Sequence, residues 1–303
     1  MRVQAAEPPR RGQDVIGTAR PDYAKCPVCR TESRFYCRVD PALYYRCGMC
    51  ETIFQAPMPS IDDMIRYADT EYADGAYTRY VKAQGIKRRT FRERVDRIAR
   101  RTTSRRLLDV GCSCGYMIDE ALDAGFDAWG VEFSRVAIAA ASPESRPRII
   151  EGDVNSLGGD AVGAYDVVSA FDVVEHTLDP LSFLASLRQL LREDGLLVIT
   201  TPDTTHFLRR LMRSSWPMLQ PYQHTVLFSR RSLRQALEHA GFRNVEITTA
   251  NKVLTLDYLV EQVRAYTPLA GRAYDLFAYL LPRRVRTRSL RLNIGETLAF
   301  AHR

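Results

Sequence analysis

The sequence predicts an α/β fold, a doubly wound parallel sheet with helices on both faces, preceded by a small cysteine-built module. Three observations carry that reading. Leu107-Leu108-Asp109-Val110 is a β-prone run that ends in the small-residue turn Gly111-Cys112-Ser113-Cys114-Gly115, and Tyr116 to Ala124 then reads as a helix. An acid, Glu132, follows Gly111 by 21 positions at the end of the next apolar run, where such folds place a carboxylate that accepts from ribose hydroxyls. Ahead of both, Cys26-Pro27-Val28-Cys29 and Cys47-Gly48-Met49-Cys50 are separated by 17 residues.

Taken in order, residues 1–20 are polar and rich in proline and arginine and are expected to be a disordered tail. Residues 21–59 form a distinct unit closed by Pro57-Met58-Pro59. Its two C-x-x-C knuckles can supply four thiolates in a tetrahedral array, so Cys26, Cys29, Cys47 and Cys50 are expected to hold a zinc ion. A redox pair would use one C-x-x-C in a βαβ setting, and a reducing compartment disfavours disulfides. Four protein ligands leave no open position, so the metal is expected to be structural. So short a unit cannot stabilise itself by apolar burial, whereas a structural zinc contributes roughly 10–16 kcal/mol in small modules.

Residues 60–104 are expected to be a helical lid or linker, tyrosine-rich at first and then basic. Phe91, Val95 and Ile98 recur there at helical spacing among arginines. A Rossmann-like core is expected over 105–303. Within it, residues 204–228 are too long for an ordinary loop and carry Trp216, Pro217, Pro221, Tyr222 and His224. Ser229 starts a helix that Gly241 ends, and Asn244 to Thr248 reads as a strand. Residues 250–294 form a second insertion, read as helical and partly apolar, before a last strand from Glu296 to His302.

With 303 residues, 46% hydrophobic and 26% charged, the chain can bury one large core plus an appended module, which excludes a disordered protein. The net charge of +7 invites a nucleic-acid reading. Only four of the 43 basic residues are lysine, a bias that fits GC-rich codon usage as well as selection for polyanions. The charge is also localised, since residues 79–106 hold 12 Lys/Arg against Glu93 and Asp96. An amphipathic helix with a solvated arginine face is preferred there over a phosphate-binding stripe. No apolar run approaches the roughly 18–20 residues that span a bilayer. No apolar segment follows the basic residues of 1–13 either, so a cytoplasmic setting is expected. Ala273 to Leu281, followed by Arg283, Arg284, Arg286, Arg288 and Arg291, would suit peripheral contact with an anionic membrane. A core helix plus a solvated loop is the preferred reading.

The strict dinucleotide pattern G-x-G-x-x-G is absent, because position 113 is serine and no glycine sits three residues later. Asp109, Gly111, Ser113 and Gly115 instead resemble the first motif of class I S-adenosylmethionine-dependent methyltransferases, with serine in place of the middle glycine. The resemblance continues downstream. Glu132-Phe133 resembles the ribose acid and an adenine-stacking residue, and Glu151-Gly152-Asp153-Val154 the end of the third strand, whose Asp contacts the adenine amino group. Tyr165 to His176 resembles the fourth strand and its active-site edge, Phe171 included. Leu190 to Pro202 resembles the helix, turn and fifth strand that follow. The resemblance implies a seven-stranded sheet and S-adenosylmethionine as cofactor. It implies contacts from Asp109, Gly111, Ser113, Gly115, Glu132, Phe133, Asp153, Val154 and Phe171, from the backbone of Cys112, and from Tyr77 in a tyrosine-rich lid.

Methyl transfer from a sulfonium is an in-line displacement in which positioning supplies much of the acceleration. A hydroxyl acceptor still needs a base. His176, which ends the fourth-strand motif, and His224, in Pro221-Tyr222-Gln223-His224, are the candidates. Each can alternatively be a hydrogen-bonded residue that shapes the pocket. Asp172 and Glu175 together with His176 resemble the divalent-metal set of some ubiquinone-type O-methyltransferases. The cysteine module and the segment 221–242 resemble bacterial methyltransferases of glycan, nucleotide-sugar and natural-product pathways. Sugar C-methyltransferases share such a module but carry a large further C-terminal domain. The expected reaction is methyl transfer to a hydroxyl, or a carbon, of a small-molecule, sugar, glycan or natural-product acceptor. Two rivals stand beside it. Ribosomal RNA guanine methyltransferases also place a zinc module before such a core, but the edge of strand four reads Phe171-Asp172-Val173-Val174 and lacks an N/D-P-P-Y-type motif, so a nucleic-acid partner is not expected. A non-catalytic binding module is opposed by the intact Asp109, Gly111, Gly115, Glu132 and Asp153.

Overall fold

The computed structural model describes residues 22–64, 66, 67, 81, 83–260 and 282–303. The expected tail, Tyr77 with the rest of the tyrosine-rich segment, and Ala273 to Leu281 lie outside the described residues. The first element is a small antiparallel sheet of β1 (Tyr23–Lys25), β2 (Glu32–Val39), β3 (Ala42–Arg46) and β4 (Ile53–Gln55). Helix α1 (Gln84–Ala99) leads into β5 (Arg106–Val110), α2 (Tyr116–Asp123), β6 (Asp127–Glu132), α3 (Arg135–Ala139) and β7 (Ile149–Glu151). Then come β8 (Tyr165–Phe171), α4 (Pro180–Leu190), β9 (Leu191–Pro202) and α5 (Phe207–Met212). They are followed by β10 (Val226–Leu227), α6 (Arg230–His239), β11 (Arg243–Leu254), α7 (Arg283–Arg286) and β12 (Leu290–His302).

The large sheet has seven strands in the order β11-β12-β9-β8-β5-β6-β7, as the resemblance implies. β5 is buried on both faces at Leu107 and Leu108, which is what a central parallel strand covered by helices demands. β12 runs antiparallel to both β9 and β11. The strand order reverses between β5 and β8, so connections leave their carboxyl ends in opposite directions and open a crevice there. Helix starts follow their caps. Asp179 accepts from the Ser182 N–H with Pro180 in the first turn of α4, and Ser229 and Ser232 cap α6 reciprocally. Among the described residues no helix is long and apolar enough to cross a membrane.

Three features depart from the sequence reading. β11 and β12 are longer than Asn244–Thr248 and Glu296–His302. Their pairing continues to Lys252↔Leu292 and Leu254↔Leu290, so part of the stretch read as helical is an antiparallel strand pair. Val253 and Leu254 are buried there, and the ladder with β12 decides their conformation. Second, the cysteine-built sheet is not self-contained. β10, from the insertion 204–228, adds its fifth strand through Val226↔Phe54 and Leu227↔Ile53. Trp216, Leu219 and Leu227 pack with Tyr44 and Ile53 into a satellite core. The Ser229 hydroxyl donates to the Cys50 carbonyl at 2.6 Å, and Gln55 Nε2 to the His224 carbonyl at 2.9 Å.

Third, the arginine face of α1 is not merely solvated. Arg88 and Arg92 place Nε at 2.5 and 2.6 Å from the two carboxylate oxygens of Glu120, whose side chain is 1% exposed on α2. Arg101 reaches Glu246 of β11 at 2.9 Å, and Glu93 accepts from Arg291 of β12 at 2.6 Å. These arginines fasten α1 across the sheet.

Candidate active site

The crevice holds a cavity of about 380 Å³ whose walls include Gly111, Glu132, Phe133, Asp153, Val154 and Val173. Five of these are sequence-predicted nucleoside contacts, brought together from the ends of β5, β6 and β7. Glu132 is the pivot. Its Oε2 accepts from the Ser113 N–H at 2.9 Å and its Oε1 from the Ser134 N–H at 2.8 Å, so the carboxylate fixes the glycine-bearing loop while keeping lone pairs on the cavity side. Gly111 has φ 72°, and a Cβ there would come within 2.8 Å of Val173. Gly115, at φ 70°, begins α2 against Ser145. Phe133 is 69% exposed at the cavity rim, an aromatic face free to stack. Asp153 Oδ1 accepts from the N–H groups of Asn155 and Ser156. Against its partial burial, those bonds and the Ser156 hydroxyl hold its carboxyl below the ordinary value.

Asp109, Cys112 and Phe171 do not line this cavity. Asp109 is buried behind the loop, accepts from the Ser169 hydroxyl at 2.6 Å, and is pushed up to about 7 by desolvation. The Cys112 sulfur fills the space beside Gly130, where a Cβ would lie 2.5 Å from it. Phe171 faces Phe91 at 5.9 Å between centroids and carries the Arg94 guanidinium over its ring at 4.6 Å. The opposite cavity wall, with Leu178, Asp179 and Phe183 at the start of α4, was not among the predicted contacts. Its one sequence signal is the Asp179-Pro180 helix start.

At the carboxyl end of β8 the two candidate histidines meet, with ring centroids 4.9 Å apart. His176 Nδ1 lies 3.0 Å from the Gln223 carbonyl and His224 Nδ1 2.8 Å from the Met218 carbonyl. A carbonyl can only accept, so both Nδ1 atoms carry the proton and both Nε2 atoms keep a lone pair. Burial lowers the pKa of both, and the neighbouring His176 helps bring His224 down to about 3. Glu175 completes the group, with ligand atoms of Glu175, His176 and His224 all within 4.8 Å of one another. Burial and the nearby Asp172 push the Glu175 carboxyl well up, and its Oε2 accepts from the Thr201 hydroxyl at 3.0 Å. Asp172 is engaged elsewhere. It accepts from Thr200 at 2.7 Å and pairs with Lys252 at 3.3 Å, and Lys252 also pairs with Glu296. The sequence could not anticipate Lys252 and Glu296, because both lay in or beside a stretch read as an insertion.

The cysteine cluster satisfies its own geometric test. Cys26 and Cys50 sulfurs are 3.6 Å apart and those of Cys29 and Cys47 3.4 Å, near the roughly 3.8 Å edge of a tetrahedron with 2.3 Å zinc–sulfur bonds. All four ligand atoms lie within 4.8 Å of one another.

Residues 79–247 match the family described as a methyltransferase domain. The chain belongs to this family. Its seven-stranded sheet carries the class I methyltransferase fold, and an N-terminal four-cysteine cluster precedes it. The ubiquinone biosynthesis O-methyltransferase of a Caulobacter species is 31% identical over 105 residues, 33% of this chain and 42% of that protein. The protein of that name from Bordetella avium is 26% identical over 180 residues, 54% of this chain and 75% of that one. The methyltransferase thus spans less than half the length of the first of these relatives. Magnesium protoporphyrin IX methyltransferase from Synechocystis, solved with bound S-adenosylhomocysteine, has a TM-score of 0.52 at 14% identity and covers 78% of this chain and 99% of that one. At that identity it shows a shared fold.

The histidine geometry has a consequence for stability. Unfolding returns His224 to an ordinary pKa near 6.5, so below that pH the unfolded chain binds a proton that the folded chain refuses down to about 3. Stability therefore rises with pH across this window and falls as pH drops through it. In His224→Asn, urea denaturation between about pH 4.5 and 6 should show a slope shallower by about 1.4 kcal/mol per pH unit than the parent in cation-free buffer. Parallel curves would mean that folded His224 accepts a proton there.

Proposed function

We propose that the methyltransferase moves the methyl group of S-adenosylmethionine to a hydroxyl of a small-molecule acceptor of sugar, glycan or natural-product type, with His176 and His224 as the base pair. A carbon acceptor is the variant of this reading. The observation that carries it is the pair of imidazoles 4.9 Å apart, each held through Nδ1 by a backbone carbonyl at the carboxyl edge of β8. The relatives named as O-methyltransferases favour oxygen as the accepting atom. In this reading the nucleoside occupies the cavity of Gly111, Glu132, Phe133, Asp153 and Val154, with Ser113 and Gly115 shaping the loop and Asp109, Cys112 and Phe171 supporting it from behind. Tyr77 would contribute from the lid segment, and Cys26, Cys29, Cys47 and Cys50 would hold a structural zinc. The reading includes a cytoplasmic setting and a low-molecular-weight acceptor. The arginines of α1, engaged with Glu120 and Glu246, argue against an RNA-binding stripe.

The acceptor hydroxyl must lose its proton as the new C–O bond forms. A neutral imidazole Nε2 can take it, and the backbone carbonyl on Nδ1 then stabilises the imidazolium; with His224 held down at about 3, His176 is the member of the pair suited to take the proton, and His224 positions it. A second reading uses the same lone pairs. Glu175, His176 and His224 present two nitrogens and a carboxylate suited to a divalent cation, which when bound would polarise an acceptor oxygen.

Asparagine keeps a donor where Nδ1–H stands but removes Nε2. His176→Asn and His224→Asn are each expected to lower turnover by about 10²- to 10⁴-fold, with S-adenosylhomocysteine affinity unchanged. Transfer of labelled methyl to an acceptor found by screening hydroxylated sugars and phenols reads this out. Full turnover in both variants removes the histidines from the chemistry.

A further inference from the structure

A second cavity, of about 640 Å³, lies between the cysteine-built sheet and the segment after β9, and it is larger than the nucleoside cavity. Tyr36 of β2, Arg46 of β3, and Arg209, Arg210, Arg213 and Ser214 of α5 and the turn beyond it line its walls. Four arginines line it, and the one carboxylate paired with any of them among the described residues is Glu51, 2.8 Å from Arg46. Arg209 is 7% exposed. Its Nε donates to the Thr204 carbonyl at 2.7 Å and its guanidinium to the Tyr36 hydroxyl at 3.5 Å. Both acceptors are neutral, so a buried positive charge faces the cavity without a counter-charge among the described residues, an arrangement that favours an incoming anion. Arg213 has φ 50° and ψ −118°, a conformation that non-glycine residues rarely hold and that recurs at ligand sites.

We propose that this cavity binds the phosphoryl groups of a diphosphate-bearing ligand. Guanidinium forks match phosphate oxygens in bidentate fashion, and Tyr36 and Ser214 add neutral donors. Four guanidiniums against one carboxylate leave an excess of three positive charges, which a diphosphate balances and a lone carboxylate does not. The volume admits an organic group attached to the anion. The site does not depend on how the methyl donor or acceptor is held, since none of these residues lines the nucleoside cavity. Two sources carry this chemistry, a soluble diphosphate compound and a lipid-linked diphosphate at a membrane surface. Phe207 and Leu211, 64% and 76% exposed and one turn apart on α5, would enter the apolar layer in the second case.

The test titrates the full chain with inorganic diphosphate by calorimetry, and separately sediments it with phosphatidylcholine vesicles that do or do not carry a polyprenyl diphosphate. Arg210 and Arg213 are both exposed, so the double variant Arg210→Gln/Arg213→Gln is expected to fold, with unchanged S-adenosylhomocysteine affinity as the check. Saturable diphosphate binding, weakened at least about tenfold in that variant, is the expected result. Sedimentation only with the diphosphate-bearing vesicles, lost in the same variant and in Phe207→Ser/Leu211→Ser, would assign the phosphoryl groups to a lipid-linked diphosphate. The proposal is overturned if the parent binds neither probe saturably or if the arginine variant binds as the parent does. Displacement of diphosphate by oligouridylate at lower phosphate concentration would also overturn it, since the site would then serve RNA.

Discussion

Glu132→Ala is expected to weaken S-adenosylhomocysteine binding by about 10²- to 10⁴-fold, because two hydrogen bonds from ribose hydroxyls to a charged acceptor contribute roughly 1.5–3 kcal/mol each. The structure adds a second cost. Both oxygens of Glu132 already accept backbone N–H groups, from Ser113 and Ser134, so alanine also frees the loop that begins at Gly111. Glutamine cannot substitute, since its amide would turn two donor hydrogens toward one of those N–H donors. Glu132→Gln should therefore fall in the same range, whereas Glu151→Gln, on the neighbouring strand end and outside the cavity wall, should bind as the parent does. Calorimetry with S-adenosylhomocysteine decides the matter. Affinity within about threefold of the parent in Glu132→Ala would remove this carboxylate from nucleoside recognition.

What was legible in the chain was local. Asp109 to Gly115 forms one strand–turn–helix unit whose conformation depends on its own glycines. Glu132 and Asp153 end strands whose apolar runs are visible, so the residues proposed to hold the nucleoside could be placed position by position. The acceptor half is assembled from residues distant in sequence. His176 and His224 meet because the insertion 204–228 folds back to add β10 to the cysteine-built sheet, and a two-residue strand leaves no periodic signal. Arg94 carried no signal in the sequence, since helical spacing cannot reveal that Phe171 and Glu296 will surround it. Lys252 and Glu296 reach Asp172 only once β11 and β12 pair along their extended length. Pairing between distant strands, rather than propensity, decided what the sequence could not show.

The same long-range pairing makes the cysteine cluster the point at which one substitution should cost most. Cys26 has no exposed surface, and its sulfur lies 3.6 Å from that of Cys50. Replacing it with serine removes one of four thiolates from a site expected to contribute roughly 10–16 kcal/mol in small modules. Cys26→Ser should lose about one zinc per chain by mass spectrometry and unfold β1 to β4. The damage should then travel. β4 holds β10, Gln55 holds the His224 carbonyl, and Cys50 accepts from Ser229, so losing the module releases the loop that aligns His224 with His176. Methyl transfer is expected to disappear while S-adenosylhomocysteine affinity survives, because no residue of β1 to β4 lines the nucleoside cavity. Limited proteolysis should cut within residues 22–55 and 213–225 and spare the parallel sheet. A metal-free protein with native proteolytic resistance would overturn the zinc assignment. Loss of cofactor binding together with turnover would show instead that the module braces the whole sheet.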